Sequence, residues 1–440
     1  MKSLAELLDD PPYAAYAYSY PHKTAYRVLD PPRALDEVWA AEPRDALFLY
    51  IHVPFCAMRC GFCNLFTTAN PRLDIVSAYL ESLRRQAAAV GAALDTASWA
   101  RLAIGGGTPT FLNERELHSL FDLAESGFGA DLDQIPVSVE TSPDTADSAR
   151  LRVLRQRGVD RVSIGVQSFI EAEAHAAGRA QCSGTVETAL DRIREAGFPT
   201  LNIDLIYGLP GQTVASWVHS LEAALRFEPE ELYLYPLYVR PLTGLDRHGT
   251  GLGHDLRLQC YRAARALLLD AGYAQVSMRM FRASHAPGQT GPIYCCQSDG
   301  MLGLGAGARS YTRSLHYSSE YAVGAPTIKG ILNTYIQHSA AEFAQARYGC
   351  AVDAEEQRRR YVIQSLLQSE GLDCAAYARH FGSSVWSDLP ELADVLTYDL
   401  ARWEGTFLRL NAAGMERSDT LGPWLYSSQV RQLMEVYELR

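Results

Sequence analysis

The stretch Tyr50-Ile-His-Val-Pro-Phe-Cys56-Ala-Met-Arg-Cys60-Gly-Phe-Cys63-Asn-Leu-Phe66 decides how this chain is read. An apolar run from Ala46 to Val53 leads into it and reads as a short buried strand. A loop follows, then a helical segment over 73–94. Cys56, Cys60 and Cys63 therefore fall close together, directly after a strand. Three thiols so placed can converge on one metal centre but cannot complete a four-thiolate shell. A structural zinc site normally closes its tetrahedron with four protein ligands, and an electron-transfer iron–sulfur cluster normally takes four cysteines. Three leave one position open to a substrate or cofactor, which is the arrangement of a catalytic site. The competing reading is a zinc knuckle, or three unrelated buried thiols.

Outward from this loop, short apolar segments alternate with helical ones. The predicted strands are 47–53, 101–105, 136–140, 161–166, 200–206 and 231–238. Helices over 73–94, 114–126, 146–157, 184–196 and 214–226 fill the gaps. This is the pattern of an α/β fold with a parallel sheet and crossover helices, and six such units suggest an open or partial barrel. The polar and glycine-rich signatures collect where the strands end. The cysteines follow the first strand, and Gly105-Gly106-Gly107-Thr108 follow the second. Glu140 ends the third, Gln167 follows the fourth, and Asp204 lies near the end of the fifth. Parallel α/β folds build their active sites on that rim.

Each signature has a chemistry and a plain structural alternative. Three glycines let a ligand sit against bare backbone, whose N–H and C=O groups can bind amino and carboxylate groups; a tight turn needs the same residues. Glu140 is costly to bury unless it is paired, so it suits a ribose or an ammonium, or a salt bridge to a neighbouring strand end. Gln167 and Asp204 stand in comparable positions. Arg179 lies on a loop and could grip a carboxylate bidentately.

The flanks differ in texture. Residues 1–45 form an arm in which Tyr16, Tyr18 and Tyr20 alternate with small residues, either a surface strap or a lid over the pocket. After the barrel come a predicted helix at 255–271, a strand at 274–281 and a glycine-rich turn from Gly300 to Arg309. From about 340 the chain reads as helices at 341–349, 353–368 and 388–403, a β element at 406–410 and a final helix near 427–438. That order predicts a small winged-helix-like domain. The expected division is an arm (1–45), the barrel with its extension (46–335) and the C-terminal domain (340–440).

The chain has 440 residues, 48% hydrophobic and 21% charged, with a formal net charge of −11. That acidity opposes non-specific binding to nucleic acid or anionic membrane. No run of about 18 apolar residues predicts a membrane span, and the stretch before Pro12, with Glu6, Asp9 and Asp10, does not read as a secretory signal. Nine cysteines, an odd number and mostly scattered, point to a reducing cytoplasm. Adjacent Cys295 and Cys296 read as ligands, reactive thiols or packing residues.

The spacing C-x3-C-x2-C, with Phe62 before the last cysteine, resembles the cluster loop of the radical S-adenosylmethionine (SAM) superfamily. There the three cysteines hold a [4Fe–4S] cluster, and the amino and carboxylate groups of SAM chelate the remaining iron. Three further phrases extend the resemblance: Gly105-Gly-Gly-Thr-Pro-Thr, Arg161-Val-Ser-Ile-Gly-Val-Gln-Ser-Phe and Asp204-Leu-Ile-Tyr-Gly-Leu-Pro-Gly-Gln-Thr. With the first stretch they resemble oxygen-independent coproporphyrinogen III oxidase and its relatives over roughly residues 46–330. That group includes the oxidase, a heme-chaperone branch and the class C radical SAM methyltransferases.

The resemblance implies a partial (β/α)6 TIM-like barrel with Cys56, Cys60 and Cys63 on the cluster. Tyr50, Gly106 and Glu140 would contact a first SAM. Phe62, Gly107, Thr108, Gln167, Arg179 and Asp204 would contact a second. Tyr50, Gln167 and Asp204 would also serve catalysis. Two departures stand out: Asn64 and Leu65 follow Cys63 where the oxidase carries a further cysteine, and the arm is unusually rich in tyrosine. The implied activity is cleavage of SAM to a 5′-deoxyadenosyl radical, with the second SAM as methyl or methylene donor to an sp²-carbon small molecule. One alternative is oxidative decarboxylation of propionates, for which Arg240, Arg279, Arg282 and Arg309 are candidate anchors. The other is a non-enzymatic heme-binding chaperone. A reductase such as flavodoxin or ferredoxin is the expected electron donor, with neither nucleic acid nor membrane as partner.

Overall fold

The computed structural model describes residues 2–17, 19–247, 255–288 and 291–440; Tyr18 of the arm's tyrosine pattern lies outside them. Six strands, β1 (Leu47–Val53), β2 (Trp99–Gly106), β3 (Val137–Thr141), β4 (Arg161–Gln167), β5 (Thr200–Tyr207) and β6 (Glu231–Pro236), hydrogen-bond in that order, every pair parallel. Helices Leu73–Leu94, Glu114–Phe128, Ser148–Gln156, Ser183–Ala196 and Val214–Leu225 make the crossovers, and Arg257–Asp270 follows β6. This is the α/β parallel-sheet fold predicted from the sequence. Glu114–Phe128 shows why such segments start and stop where they do. Asn113 and Glu116 form a reciprocal capping box, and Gly129 ends the helix in the left-handed conformation, φ 65°.

Alternation along the strands explains the layers. Leu49 and Ile51, Leu102 and Ile104, Val162 and Ile164, and Leu201, Ile203 and Leu205 are all buried. They share one core with helix residues such as Leu83, Leu120, Leu190 and Leu221. Successive side chains point to opposite faces, so Tyr50, His52, Arg101, Glu140, Arg161, Ser163, Asp204 and Tyr233 line the other face. A barrel filled with branched aliphatic residues is a packed core. Here polar and aromatic residues leave a cavity.

Strands at both edges widen the sheet to thirteen. Met301–Leu304 pairs parallel with β1, and then come Arg309–Tyr311, Leu315–Ser318, Gln345–Ala351 and the arm strand Arg27–Ala34, each antiparallel to its neighbour. The expected helix at 341–349 is therefore corrected: Ala340–Phe343 is a single turn, and Gln345–Ala351 is a strand. Its buried residues Ala346, Tyr348 and Cys350 alternate, and pairing partners on both sides outweigh local helix propensity.

The expected strand at 274–281 is likewise a hairpin, Tyr273–Gln275 against Met280–Ala283. Ser277 turns the chain by accepting the Arg279 and Met280 N–H groups on its hydroxyl. The predicted helix at 388–403 breaks into Val385–Asp388, Asp394–Thr397 and the strand Ala401–Glu404. That strand joins Phe407–Leu410 and Leu372–Asp373 in a small antiparallel sheet backed by helices Ala354–Leu366 and Cys374–Phe381.

The arm is tied down along its length. Tyr13, Tyr20 and Tyr26 are buried, the Tyr20 hydroxyl donates to Glu356, and Ala15 N–H donates to Asp419 C=O at 3.2 Å. Tyr16 faces the cavity. No helix among the described residues is long and apolar enough to cross a membrane.

Candidate active site

The cysteine loop leaves β1 at the carboxyl edge of the sheet and is held there by backbone. Gly61 N–H donates to Ala177 C=O at 3.0 Å, and Leu245 N–H donates to Gly61 C=O at 2.8 Å. A Cβ on Gly61 would stand 2.7 Å from the Ala177 oxygen, and one on Gly178 or Gly244 would stand 2.9 Å from the Gly61 Cα. Three chain segments touch main chain to main chain, which is why glycine sits between Cys60 and Phe62. Phe62 packs on a small apolar cluster containing Ala177, Ile206 and Leu245.

Each thiol meets a polar partner. The Thr108 hydroxyl donates to Cys56 Sγ at 3.7 Å, and Arg179 Nη1 donates to Cys60 Sγ at 3.3 Å. Thr67 Oγ1 lies 3.6 Å from Cys63 Sγ. Arg179 is held by Gln181 Oε1 (2.6 Å) and the Gly165 carbonyl (2.6 Å). Burial pushes the Cys56 thiol up to about 12, against the pull of Thr108, and burial raises Cys60 against Arg179. Their thiolate forms thus need a cation beside them, as a metal ligand does.

Among the described residues no three His, Cys, Asp or Glu side chains close on one point as a single-ion site. Three cysteines supply one ligand fewer than the closed tetrahedron of a zinc knuckle. A cubane's three thiolates sit on three different irons, farther apart than the donors of one ion. A loop of three free cysteines, each met by a hydroxyl or guanidinium, fits that donor set.

The glycine run turns over this loop. Gly107 N–H donates to Val53 C=O at 2.8 Å and Thr108 N–H to Phe55 C=O at 2.7 Å. A Cβ on Gly107 would lie 3.0 Å from Cys56 Sγ. Gly106 has φ +114°, and a Cβ there would enter the His52 ring at 2.5–2.7 Å. Only glycine combines that conformation with that approach. His52 is itself fixed, with Nε2 3.0 Å from the Phe66 carbonyl and Nδ1 3.1 Å from the Tyr50 hydroxyl. Burial lowers its pKa to about 4, so the ring is neutral at neutral pH.

Beyond the glycines opens a cavity of about 1090 Å³. Glu140 lies deep in the molecule with its carboxylate open to that space, and Gly106 N–H donates to it at 3.0 Å. Asp204 accepts from Asn202 Nδ2 at 2.7 Å and from Ser163 Oγ at 3.4 Å. Neither carboxylate is in an ion pair among the described residues. Desolvation raises Glu140 to about 7, with the Gly106 N–H opposing and Asp204 adding. It raises Asp204 to about 6, against the bonds from Asn202 and Ser163 and the charge of Arg161.

The predicted residues thus fall into two adjoining groups. Tyr50, Gly106, Glu140 and Asp204 line the cavity. Cys56, Cys60, Cys63, Phe62, Gly107, Thr108 and Arg179 belong to the loop and its supports. Gln167 stands at the end of β4 with φ 71°, at a bulge in the pairing with β5, and folds its amide back over Gly165. Among the candidate arginines, Arg279 is bound to Asp419 at 2.6 Å, and Arg282 and Arg309 line the cavity whereas Arg240 does not. Tyr16, one of the arm tyrosines read as a strap or a lid, lies on the cavity wall, and sequence reasoning gave no site role to His52, Arg101, Arg161 and Arg360, which line it too. His52 and Arg161 carried a signal, their places in the quoted motifs.

Comparison with known proteins gives a consistent result. The family model of the Radical SAM superfamily matches residues 50–224. An oxygen-independent coproporphyrinogen III oxidase from Cereibacter sphaeroides is 30% identical over 73% of this chain and 73% of its own length. The heme chaperone HemW of Bacillus subtilis is 28% identical over 76% of this chain and 87% of its own. Among solved structures, coproporphyrinogen III oxidase (HemN) from Escherichia coli aligns over 100% of both chains, with a TM-score of 0.75 and 22% identity. That likeness shows the fold.

Proposed function

This chain belongs to the radical SAM superfamily, in the group of oxygen-independent coproporphyrinogen III oxidases and heme chaperones, and we propose that it cleaves SAM reductively and passes the radical to a molecule held in the barrel cavity. Membership implies a [4Fe–4S] cluster and SAM, and Cys56, Cys60 and Cys63 would hold the cluster. When bound, the cluster supplies the electron that splits SAM into methionine and a 5′-deoxyadenosyl radical. The chain's own part is orientation and exclusion of water. Gly105 and Gly106 offer bare backbone beside Glu140. Tyr50, braced on His52, and Gln167, fixed by its bulge, would steady the reacting end.

One observation carries the finer reading: Glu140 and Asp204, two carboxylates with no ion-pair partner among the described residues, face the same cavity beside the three-thiol loop. Each suits a ribose or an ammonium, which supports one SAM at Tyr50, Gly106 and Glu140 and a second reaching Asp204. The second SAM would then donate a methyl or methylene group to an sp² carbon held among the wall tyrosines. Oxidative decarboxylation of a propionate is the second reading, favoured by the arginines on the same wall. A reductase such as flavodoxin or ferredoxin would supply the electron in either case.

Anaerobic incubation with dithionite and SAM tests this. Formation of 5′-deoxyadenosine supports the enzyme. S-adenosylhomocysteine beside it supports methyl transfer, and CO₂ without S-adenosylhomocysteine supports decarboxylation. Heme binding with neither product would replace the enzyme with a chaperone.

A further inference from the structure

The cysteine loop has an outer side as well as the side that meets the glycine run. Ala57, next to Cys56, and Gly178, next to Arg179, are exposed, and neither lines the cavity. Gly178 touches Gly61, the residue bonded to Cys60, backbone to backbone. Gly61, Gly178 and Gly244 bring no side chain to thicken the wall at this point. No second group of three cysteines follows in the sequence to serve as a relay, so an electron from another protein must enter at this loop. Electron transfer weakens steeply with distance, which makes a wall of bare main chain the favoured point of entry.

The segment laid on that wall, residues 240–247, departs from an ordinary surface in two ways. Leu242 is exposed and has φ 67°, the one apolar side chain among the described non-glycine residues with positive φ. A bulky residue in that region is an outlier that its surroundings must hold. Asp246 holds it by accepting the Leu242 N–H at 2.9 Å, and a leucine is thereby presented to solvent three residues before Leu245 bonds Gly61.

The second departure is charge. Arg240 and Arg247 flank Leu242 in sequence. A Cβ on Gly324 would stand 3.9 Å from Leu242 Cδ1, and Arg59 of the loop donates to the neighbouring Val323 carbonyl. Arg247 is exposed, Arg59 and Arg240 are half-buried, and Arg59 Nη1 is buried with no partner. Arg240 lies over the Tyr238 ring at 4.6 Å, and Arg247 Nε donates to the Thr243 carbonyl at 3.4 Å. None of the three is in an ion pair among the described residues. Of the nearby acids, Asp246 is engaged by the Leu242 N–H, and Glu320 by Arg440 at 3.5 Å. On a chain of net charge −11, three unpaired guanidiniums around one exposed leucine are a local reversal of sign. An apolar centre with an arginine rim is the anatomy of a protein interface, and its charge selects an acidic partner and speeds the encounter.

We infer that this outer face, with Leu242 at its centre and Arg59, Arg240 and Arg247 around it, docks a small acidic one-electron carrier against the Gly61–Gly178 wall beside Cys60. One electron leaves the reduced carrier for the cluster, and no atom is transferred. The inference rests on the proposed function and gives its electron donor a place and a charge.

A purified flavodoxin, an acidic carrier of this kind, is the probe. Its binding to the anaerobic, cluster-loaded protein is measured by isothermal titration at low and at moderate salt. Binding should weaken about tenfold with the added salt. Arg247→Glu and Arg240→Glu should each weaken it about tenfold at low salt. Arg226→Glu, an exposed arginine at the opposite edge of the sheet, just before β6, should leave it unchanged. Formation of 5′-deoxyadenosine is followed with reduced flavodoxin and, separately, with dithionite. The two reversals should lower the flavodoxin-driven rate severalfold and leave the dithionite-driven rate as it was. Flavodoxin that does not bind, that ignores salt, or that binds both reversed variants normally overturns the inference. So does an equal fall of the two rates, which would mark damage to the cluster site itself. If dithionite still yields 5′-deoxyadenosine in the unsubstituted protein, the proposed function stands and only the docking face is lost. If flavodoxin binds and the reversals release it while neither reductant yields 5′-deoxyadenosine, the face stands and the radical reading falls.

Discussion

The cysteine loop and the carboxylate wall meet at Gly106, yet opposite means hold them in place. The loop is fixed by main chain on main chain: Gly61 against Ala177, Gly178 and Gly244, with hydrogen bonds in both directions. The wall is fixed by side chains that keep charge or protons in a poorly solvated space, Glu140 under the Gly106 N–H and Asp204 between Asn202 and Ser163. The loop therefore depends on the absence of side chains at its glycines. The wall tolerates small changes of shape but answers to protonation.

The largest effect should come from the loop's sulfurs. Cys56→Ala, Cys60→Ala or Cys63→Ala is expected to abolish iron–sulfur absorbance after anaerobic reconstitution and to reduce 5′-deoxyadenosine to background. A variant that keeps full iron and sulfide content would remove its cysteine from the ligand set.

Gly61→Ala sharpens the comparison, because all three thiols remain. The added methyl must displace the Ala177 carbonyl from 2.7 Å, a cost of about 1–3 kcal/mol for overpacking. Cluster retention should fall severalfold on gel filtration. Gly184→Ala, where nothing lies within 4 Å, is the control. Equal retention in both variants would break the backbone account of the loop.

The wall should show itself through pH. Folding raises Glu140 from 4.5 to about 7 and Asp204 from 3.8 to about 6. Between those values the folded chain binds more protons than the unfolded one. Their contribution to stability is full below about pH 4 and is lost as pH rises through 6 to 7. Asp204→Asn should recover on the order of 1–2 kcal/mol at pH 8 relative to pH 5 in urea unfolding. Glu140→Gln should act in the same direction but less, since its carboxylate opens to the cavity. A steeper decline with pH in either variant would contradict the desolvated wall.

The smallest effect belongs to neither region. Arg262→Gln breaks a pair with Glu416 at 2.7 Å, but the arginine is 62% exposed. The change should be below about 0.5 kcal/mol by thermal melting. A larger loss would mean that the contact between helix Arg257–Asp270 and the C-terminal region matters more than its exposure suggests.

Much of this arrangement was legible in the chain itself. The six parallel strands were readable because apolar residues recur along short segments between amphipathic helices, a local signal. The thiols of the loop, the glycine run, Glu140 and Asp204 were readable because they interrupt that signal where strands end. Three things were not readable from local pattern. Residues 345–351 become a strand because Leu315–Ser318 and the arm lie on either side. Arg101 and Arg360 share one cavity although 259 positions separate their numbers. Gly106 must be a glycine because a Cβ there would enter the ring of His52, which comes from the neighbouring strand. Periodicity and chemistry along a segment are set by neighbours in sequence. Which charge lacks a partner, and which face becomes a wall, is set by contacts between distant segments, and those exist only once the chain has folded.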